Sequence, residues 1–271
     1  MSRIRLVVSD VDGTLLTPDK QLTAKSCNAV MQLNAEGIGF SVTSARPPFG
    51  LRMLIEPLNL HLPLGAYNGA LIFDGDMRTI EAHTLPPDVV DRSITRLTAA
   101  GAGVWLFSPE RWLIRDPGGD YVAHEQHTVA FDPTVVPRFT ADHMSRVCKI
   151  VGVSRDFDLV RRCEADVKDA LGPGAATVVR SQTYYLDITP AGLDKGTSVE
   201  AIARHAGVSM DEVATIGDMD NDLPMLTRSG LSVAMGNAED HIKKQATLVA
   251  RANTDEGFAD AIMQIIRHRA D

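Results

Sequence analysis

Short apolar runs alternate with helix-length amphipathic stretches at the start of this chain, break off, and return near its end, and that interruption constrains the fold more than any single residue. Ile4 to Ser9 is a β-branched apolar run ending in acids and a glycine, as a strand buried on both faces does. Thr23 is placed to cap a helix running to about Glu36, with Gly37 as its stop. A second strand is expected over Ile38 to Thr43. Pro47 and Pro48 then stand where a helix reaching about Leu58 would begin. Leu64 to Tyr67 reads as a third strand, and Leu71 to Ile80 as a hairpin turning at Asp74-Gly75. Such a β-α-β-α-β opening predicts a parallel sheet with helices on both faces.

From about Ala82 to Ile188 the rhythm becomes α+β. A helix is expected over Pro87 to Ala100, then strands at Val104 to Phe107 and Trp112 to Arg115. After a poorly patterned stretch come a strand at Lys149 to Val153, a helix at Phe157 to Leu171 and strands near Ala176 and Tyr184. Beyond Pro190 the alternation resumes, with a helix over Gly196 to His205 and a strand at Val213 to Ile216. A short helix from Leu223, a strand at Leu231 to Ala234, a helix from Glu239, a strand near Leu248 and a helix from Phe258 complete it. The expected class is α/β: a Rossmann-like parallel-sheet core from residues 1–81 and 189–271, with residues 82–188 inserted as an α+β domain.

The 271 residues, 44 % hydrophobic and 23 % charged, are enough for such a core and argue against disorder. A net charge of −8 disfavours nucleic acid as a partner, and an anionic substrate must be attracted locally. Cys27, Cys148 and Cys163 are odd in number and widely spaced, so neither a disulfide framework nor a zinc pattern follows. The opening from Met1 turns acidic at Asp10 before a signal-length apolar run develops, and no run is long enough to span a bilayer. A cytoplasmic protein without membrane contact is expected. Nothing in the sequence selects between a monomer and a homodimer.

Four segments carry candidate chemistry. In Asp10-Val11-Asp12-Gly13-Thr14 the two acids share a face at the carboxyl end of the first strand, the edge where open α/β sheets bind ligands. Carboxylates this close need a cation or a proton between them, and a hard ion such as Mg²⁺ suits oxygen ligands. Held against a phosphate, one of them can act as a nucleophile. A lone Asp-Gly after a strand is often only a turn; the several specified positions lift this one above that. Thr43-Ser44-Ala45-Arg46 ends the second strand and offers a hydroxyl and an N–H to phosphate oxygens, although Ser and Thr there commonly serve as turn residues. Lys195 precedes a helix, where its charge opposes the macrodipole unless it meets an anion. Asp218, Asp220 and Asp222 follow a strand in alternation; Leu223 and Ser229 occupy the sixth and twelfth positions, so this is no EF-hand but an acidic strand-end loop able to hold a metal.

In that order, the four segments resemble the motifs of the haloacid dehalogenase superfamily, most closely its Cof-type sugar-phosphatase branch, whose class IIB cap follows the third core strand. Asn68-Gly69-Ala70 and Ala234-Met235-Gly236-Asn237-Ala238 add to the likeness. The resemblance implies an Mg²⁺-dependent phosphatase of small phosphorylated metabolites, working through an aspartyl phosphate. It makes Asp10 the nucleophile and Asp12 the general acid and base, which also gives its main-chain carbonyl to the metal. Asp218 would ligate the metal, and Asp222 would do so directly or through water. Ser44 and Lys195 would hold phosphoryl oxygens, Asn221 would orient substrate, and Arg46 and Asn68 would contact it. The family pattern has Gly where this chain has Ala45, which bears on the N–H contact there.

A phosphomutase on the same scaffold, a receiver-like phospho-acceptor and a silent ligand-binding homologue are the rival readings. The inserted domain and the Asp-x-Asp order disfavour the receiver, and the intact acids disfavour the silent homologue. His124 and His127 lack a third ligand and read as surface residues. Gly101-Ala-Gly103 opens no helix after a strand, and Trp105, Phe107 and Trp112 have the spacing of a strand in the core of the insert. Sugar phosphates, phosphorylated cofactors and small phospho-acids all remain open as substrates.

Overall fold

Leu6, Val7 and Val8 are fully buried, as the unbroken apolar run requires of a strand covered on both faces. A computed structural model of the protein describes residues 3–270, so the Met1-Ser2 start of the leader reading lies outside them. The strand Leu6–Ser9 sits inside a five-stranded parallel sheet ordered Leu248–Val249, Leu231–Ala234, Val213–Gly217, Leu6–Ser9, Gly39–Val42. Val7 is in register with Ala214 on one side and Phe40 on the other, so strands from the two ends of the chain are direct neighbours.

The chain divides into two compact units. The first comprises residues up to Ser44, Arg52–Ile80 and from Asp194 onward; the second comprises Ala45–Leu51 and Glu81–Leu193. In the first, Leu6 and Val8 pack with Ile72, Val199, Ile202 and Met225 on one side of the sheet. On the other side Phe40 meets Phe258 of the last helix, Gly257–Ala270, edge to face at 5.8 Å. Thr23 caps the helix Ala24–Ala35 by accepting the Ser26 N–H, and Gly37 leaves it at a φ of 69°.

Local details differ from the sequence reading. The third strand is Leu64–Ala66, joined to the parallel sheet by a single bridge from Thr43 to Gly65, and it forms a small sheet with Leu71–Phe73 and Thr79–Ala82. It stops at Ala66 because Tyr67 and Asn68 are both left-handed, with φ of 53° and 54°. The hairpin turns through Asp74 to Arg78, with Asp74 Oδ1 accepting the N–H groups of Asp76 and Arg78; Met77, not Gly75, takes the positive φ. The helix expected after Pro48 is a 3₁₀ turn, Pro48–Leu51, and one α-turn, Arg52–Ile55.

The second unit has a six-stranded sheet ordered Ala176–Gln182, Tyr185–Pro190, Lys149–Val153, Gly103–Phe107, Trp112–Ile114, Thr134–Val135, antiparallel except for the last pair. Pro87–Ala100 and Phe157–Leu171 cover one face, where Leu97, Val160 and Val167 bury Leu106, Ile150, Leu186 and Ile188. The unpatterned stretch contains one short helix, Val122–Val129, and a single turn, Ala141–Met144.

Candidate active site

The carboxyl ends of Leu6–Ser9, Gly39–Val42, Val213–Gly217 and Leu231–Ala234 lie along one edge of the parallel sheet, because all four strands run the same way. Asp10, only 3 % exposed, continues the first strand there; its N–H still bonds to Ile216 and its carbonyl accepts the Ser9 hydroxyl at 2.7 Å. Gly13 then turns the chain at a φ of 84°, and a Cβ on it would collide with the Asp218 carboxylate.

Lys195 is the first residue of the helix Lys195–Ala206, whose cap is a reciprocal pair between Asp194 and Thr197. Its ammonium, 2 % exposed, lies 2.5 Å from Asp10 Oδ1 and 2.5 Å from Asp222 Oδ1. Burial alone would lower its pKa, but those two carboxylates outweigh burial and hold it above the usual lysine value. Asp222 also closes its own loop, with Oδ2 accepting the N–H groups of Asp218 at 2.8 Å and Met219 at 2.9 Å. A Cβ at Gly217 would meet Asp222 at 2.6 Å, so this loop requires glycine there. Asp218 receives the Thr14 hydroxyl at 2.9 Å on Oδ1 and the Asn237 amide at 3.1 Å on Oδ2.

Asp10, Asp218 and Asp222 each bring one oxygen within 4.8 Å of the others. Burial, reinforced by Asp222 and Asp218, pushes the Asp10 carboxyl well above the ordinary range despite Lys195. Burial and then Asp222 push Asp218 up to about 6. Three buried carboxylates against one ammonium leave an excess of negative charge, and an all-oxygen donor set of this kind fits a hard divalent ion such as Mg²⁺. Asp220 takes no part: its carboxylate is exposed and contacts His241 at 2.5 Å.

The structure places the remaining sequence-derived residues unevenly. The Asp12 side chain stands apart from the three-acid cluster, half-exposed, and accepts Lys20 Nζ at 2.7 Å. Ser44 is buried, its N–H donating to Gly65 and its carbonyl accepting the Asn68 N–H at 2.9 Å. Asn68, held left-handed, accepts the Asn221 amide at 3.3 Å. Arg46 belongs to the second unit, where its guanidinium donates to the carbonyls of Gly50 at 3.1 Å and Thr128 at 3.3 Å.

Sequence reasoning gave no role to Thr14, Lys20, Asn237 or Asn253. Asn237 spans the Gly13 carbonyl at 3.0 Å and Asp218, and its own oxygen accepts the Asn253 N–H at 2.9 Å. Asn253 in turn donates to the Leu16 carbonyl at 3.0 Å. The Ala234-to-Ala238 segment was the signal that could have exposed this clamp.

A model of the haloacid dehalogenase-like hydrolase family matches residues 7–262. A pyridoxal phosphate phosphatase of Escherichia coli (strain K12) is 27 % identical over 267 residues, covering 95 % of this chain and 97 % of that protein. An HMP-PP phosphatase of Enterobacter sp. (strain 638) is 28 % identical over 235 residues, covering 86 % of this chain and 85 % of its own. A crystal structure of a haloacid dehalogenase-like hydrolase from Bacteroides thetaiotaomicron superposes with a TM-score of 0.89 at 27 % identity, over 97 % of this chain and 100 % of that one.

Proposed function

The chain belongs to the haloacid dehalogenase-like hydrolases as a Cof-type phosphatase, and from that premise we propose that it hydrolyses small phosphorylated metabolites through an aspartyl phosphate, an acyl phosphate formed on Asp10. The observation that carries this reading is the Lys195 ammonium seated between Asp10 and Asp222, with Asp218 on the same sheet edge. The relatives named as HMP-PP and pyridoxal phosphate phosphatases support a small phosphorylated metabolite as substrate. Residues 1–81 and 189–271 are assigned as the catalytic core, and residues 82–188 as the cap that sets specificity. With no helix among the described residues long and apolar enough to cross a membrane, and with free cysteines at 27, 148 and 163, a cytoplasmic setting is the natural one.

Asp10, Asp218 and the Asp12 carbonyl would hold Mg²⁺, which when bound neutralises charge and lets an anionic phosphate approach a carboxylate. Asp222 is assigned a place behind that set, acting through water and through its loop, because Oδ2 already accepts two N–H groups and Oδ1 faces Lys195. Ser44 and Lys195 bind phosphoryl oxygens, and Lys195 offsets the charge that gathers on them. A carboxylate oxygen of Asp10 attacks phosphorus as the bond to the leaving oxygen breaks, and Asp12 gives that oxygen its proton. Asp12 then takes a proton from a water whose oxygen attacks phosphorus, the bond to Asp10 breaks, and inorganic phosphate leaves. The half-exposed position of Asp12, outside the acid cluster, suits a group that must exchange protons twice per cycle. Asn221 and Asn68 are assigned to orient substrate, and Arg46 is carried over from the family resemblance as a further substrate contact.

Replacing Asp10 by Asn removes the nucleophilic oxygen while keeping the shape of the side chain. Phosphate release should fall to background with the melting temperature preserved, and acid-quenched wild-type protein should carry a phosphate that the variant lacks. Substantial turnover by a clean Asp10→Asn preparation would refute the assignment.

A further inference from the structure

The loop that follows Asp12 folds back on it. Leu16, fully buried, anchors the return: its N–H bonds to the Val11 carbonyl at 3.0 Å and its carbonyl accepts the Asn253 amide at 3.0 Å. From there Thr17-Pro18-Asp19-Lys20-Gln21 reverses the chain. The Thr17 N–H donates to the Gln21 carbonyl at 3.0 Å, the Lys20 N–H to the Thr17 carbonyl at 2.9 Å, and the Thr17 hydroxyl accepts the Gln21 N–H at 3.2 Å. This is the bonding of a three-residue hairpin loop, in which a type I turn is followed by one left-handed residue, normally glycine. Lys20 stands at that position, with a φ of 61°.

Glycine would be less strained there, because the Cβ of a left-handed residue crowds its own backbone. What lysine adds is reach: its Nζ donates to Asp12 Oδ1 at 2.7 Å. A contact between side chains 40 % and 32 % exposed contributes little to stability, so stability does not explain a lysine in the glycine position. The geometry at Asp12 does. An ammonium has hydrogens to give and no lone pair to receive one. With Oδ1 facing Nζ, any proton that Asp12 carries has to sit on Oδ2, and a loop anchored at Leu16 fixes the direction of the carboxyl group. All of these residues belong to one compact unit.

We propose that Lys20 is a positioning residue for proton transfer, holding Asp12 so that Oδ2 hands the proton to the leaving group and takes one back from water. This rests on the phosphatase reading and deepens it. In the first step an Asp10 oxygen bonds to phosphorus, the bond from phosphorus to the leaving oxygen breaks, and the proton moves from Oδ2 to that oxygen. In the second a water oxygen bonds to phosphorus, the bond to Asp10 breaks, and a proton of the water passes to Oδ2.

The test compares glycerol phosphate and phenyl phosphate, whose leaving oxygens need a proton, with p-nitrophenyl phosphate, whose leaving oxygen departs without one. Lys20→Met should reduce kcat/KM about tenfold on the first two, inside the roughly 10²–10⁴-fold that a general acid supplies. On p-nitrophenyl phosphate the loss in kcat/KM should stay within about threefold. The second step uses the same base whatever the substrate, so acid-quenched Lys20→Met should carry more phosphate on Asp10 during turnover than the wild type. Lys20→Arg, which keeps a cationic donor, should recover most of the loss. Lys20→Gly should melt above Lys20→Met, since glycine suits the left-handed backbone, and yet share its kinetic defect. A merely structural lysine would lose all three substrates equally and let activity follow melting temperature. That result, or a gain in activity on removing Lys20, overturns the proposal. Should the wild type release phosphate from none of the three compounds, the phosphatase reading fails instead. The pairing is then decided without turnover, by a cycle of Lys20→Met and Asp12→Asn in denaturant unfolding: additive effects reject it.

Discussion

Asn237 holds the sheet-edge loops together, and truncating it to Ala separates metal affinity from chemistry. Its amide nitrogen has two hydrogens, one given to Asp218 Oδ2 at 3.1 Å and one to the Gly13 carbonyl at 3.0 Å. A hydrogen bond to a charged acceptor contributes about 1.5–3 kcal/mol. Asn237 is exposed, so water can replace part of what is lost, and the lower figure applies. About 1.5 kcal/mol is roughly a tenfold change in a binding constant. The loss falls on the orientation of Asp218, a proposed metal ligand, and not on Asp10 or Lys195. Half-saturating Mg²⁺ should therefore rise about tenfold, at the lower end of the roughly 10–100-fold effect of removing such supporting contacts. At saturating Mg²⁺, kcat should stay within about threefold of the wild type. Phosphate release measured across a magnesium titration gives both numbers, and calorimetric titration with magnesium alone, without substrate, gives the first independently. An unchanged magnesium requirement combined with a large loss of kcat would show that Asn237 serves the reaction and not the ion, and the reasoning would fail.

Gly13→Ala places a methyl group against the Asp218 carboxylate at a φ of 84°, so activity should fall severely and magnesium binding weaken; a fully active variant would mean the loop is free to move. Lys195→Met leaves Asp10 and Asp222 buried without their shared cation, which should cost about 3–5 kcal/mol in denaturant unfolding as well as abolish turnover. The raised Asp218 pKa has a definite sign. The folded metal-free protein holds a proton that the unfolded chain gives up, so this contribution to stability is full below 3.8 and is lost as pH rises through about 6. Magnesium competes with that proton, so the rise in melting temperature on adding it should be larger at about pH 7.5 than at about pH 5. Equal shifts at both values would count against these carboxylates as the ligands.

The core of the fold is legible because its central strands, Leu6–Ser9, Val213–Gly217 and Leu231–Ala234, are buried on both faces and so leave nearly unbroken apolar runs. Lys149–Val153, Phe157–Leu171 and Pro87–Ala100 were equally plain, since their patterns are strong and their ends are marked by Pro87, Gly101, Asp156 and Gly172. What escaped is set by contacts distant in sequence. No local rule ends the third strand at Ala66; Tyr67 and Asn68 turn left-handed where the Asn68 N–H meets the Ser44 carbonyl and its side chain meets Asn221. The helix expected through Leu58 shrinks to one turn after a 3₁₀ segment, where Phe49 stacks on Phe131 at 3.9 Å. That is a tertiary demand overriding a good local start.

The site divides along the same line. Asp10, Lys195, Asp218 and Asp222 announce themselves because acids and a lysine at strand or helix ends have a local cost that only a shared ligand or each other can offset. Thr14 and Asn237 are neutral and cost nothing where they stand, so sequence logic has no reason to single them out, although they fix the Asp218 carboxylate from both sides. Asp187 is the opposite case. It is an acid in the middle of a strand, which should have been conspicuous, but its neighbours Leu186 and Ile188 gave a clean alternating pattern in which any outward residue passes as solvated. Burial on both faces of that strand turns an ordinary surface acid into a charge requiring explanation. The informative residues of the insert are therefore those whose alternation predicts exposure and whose surroundings deny it.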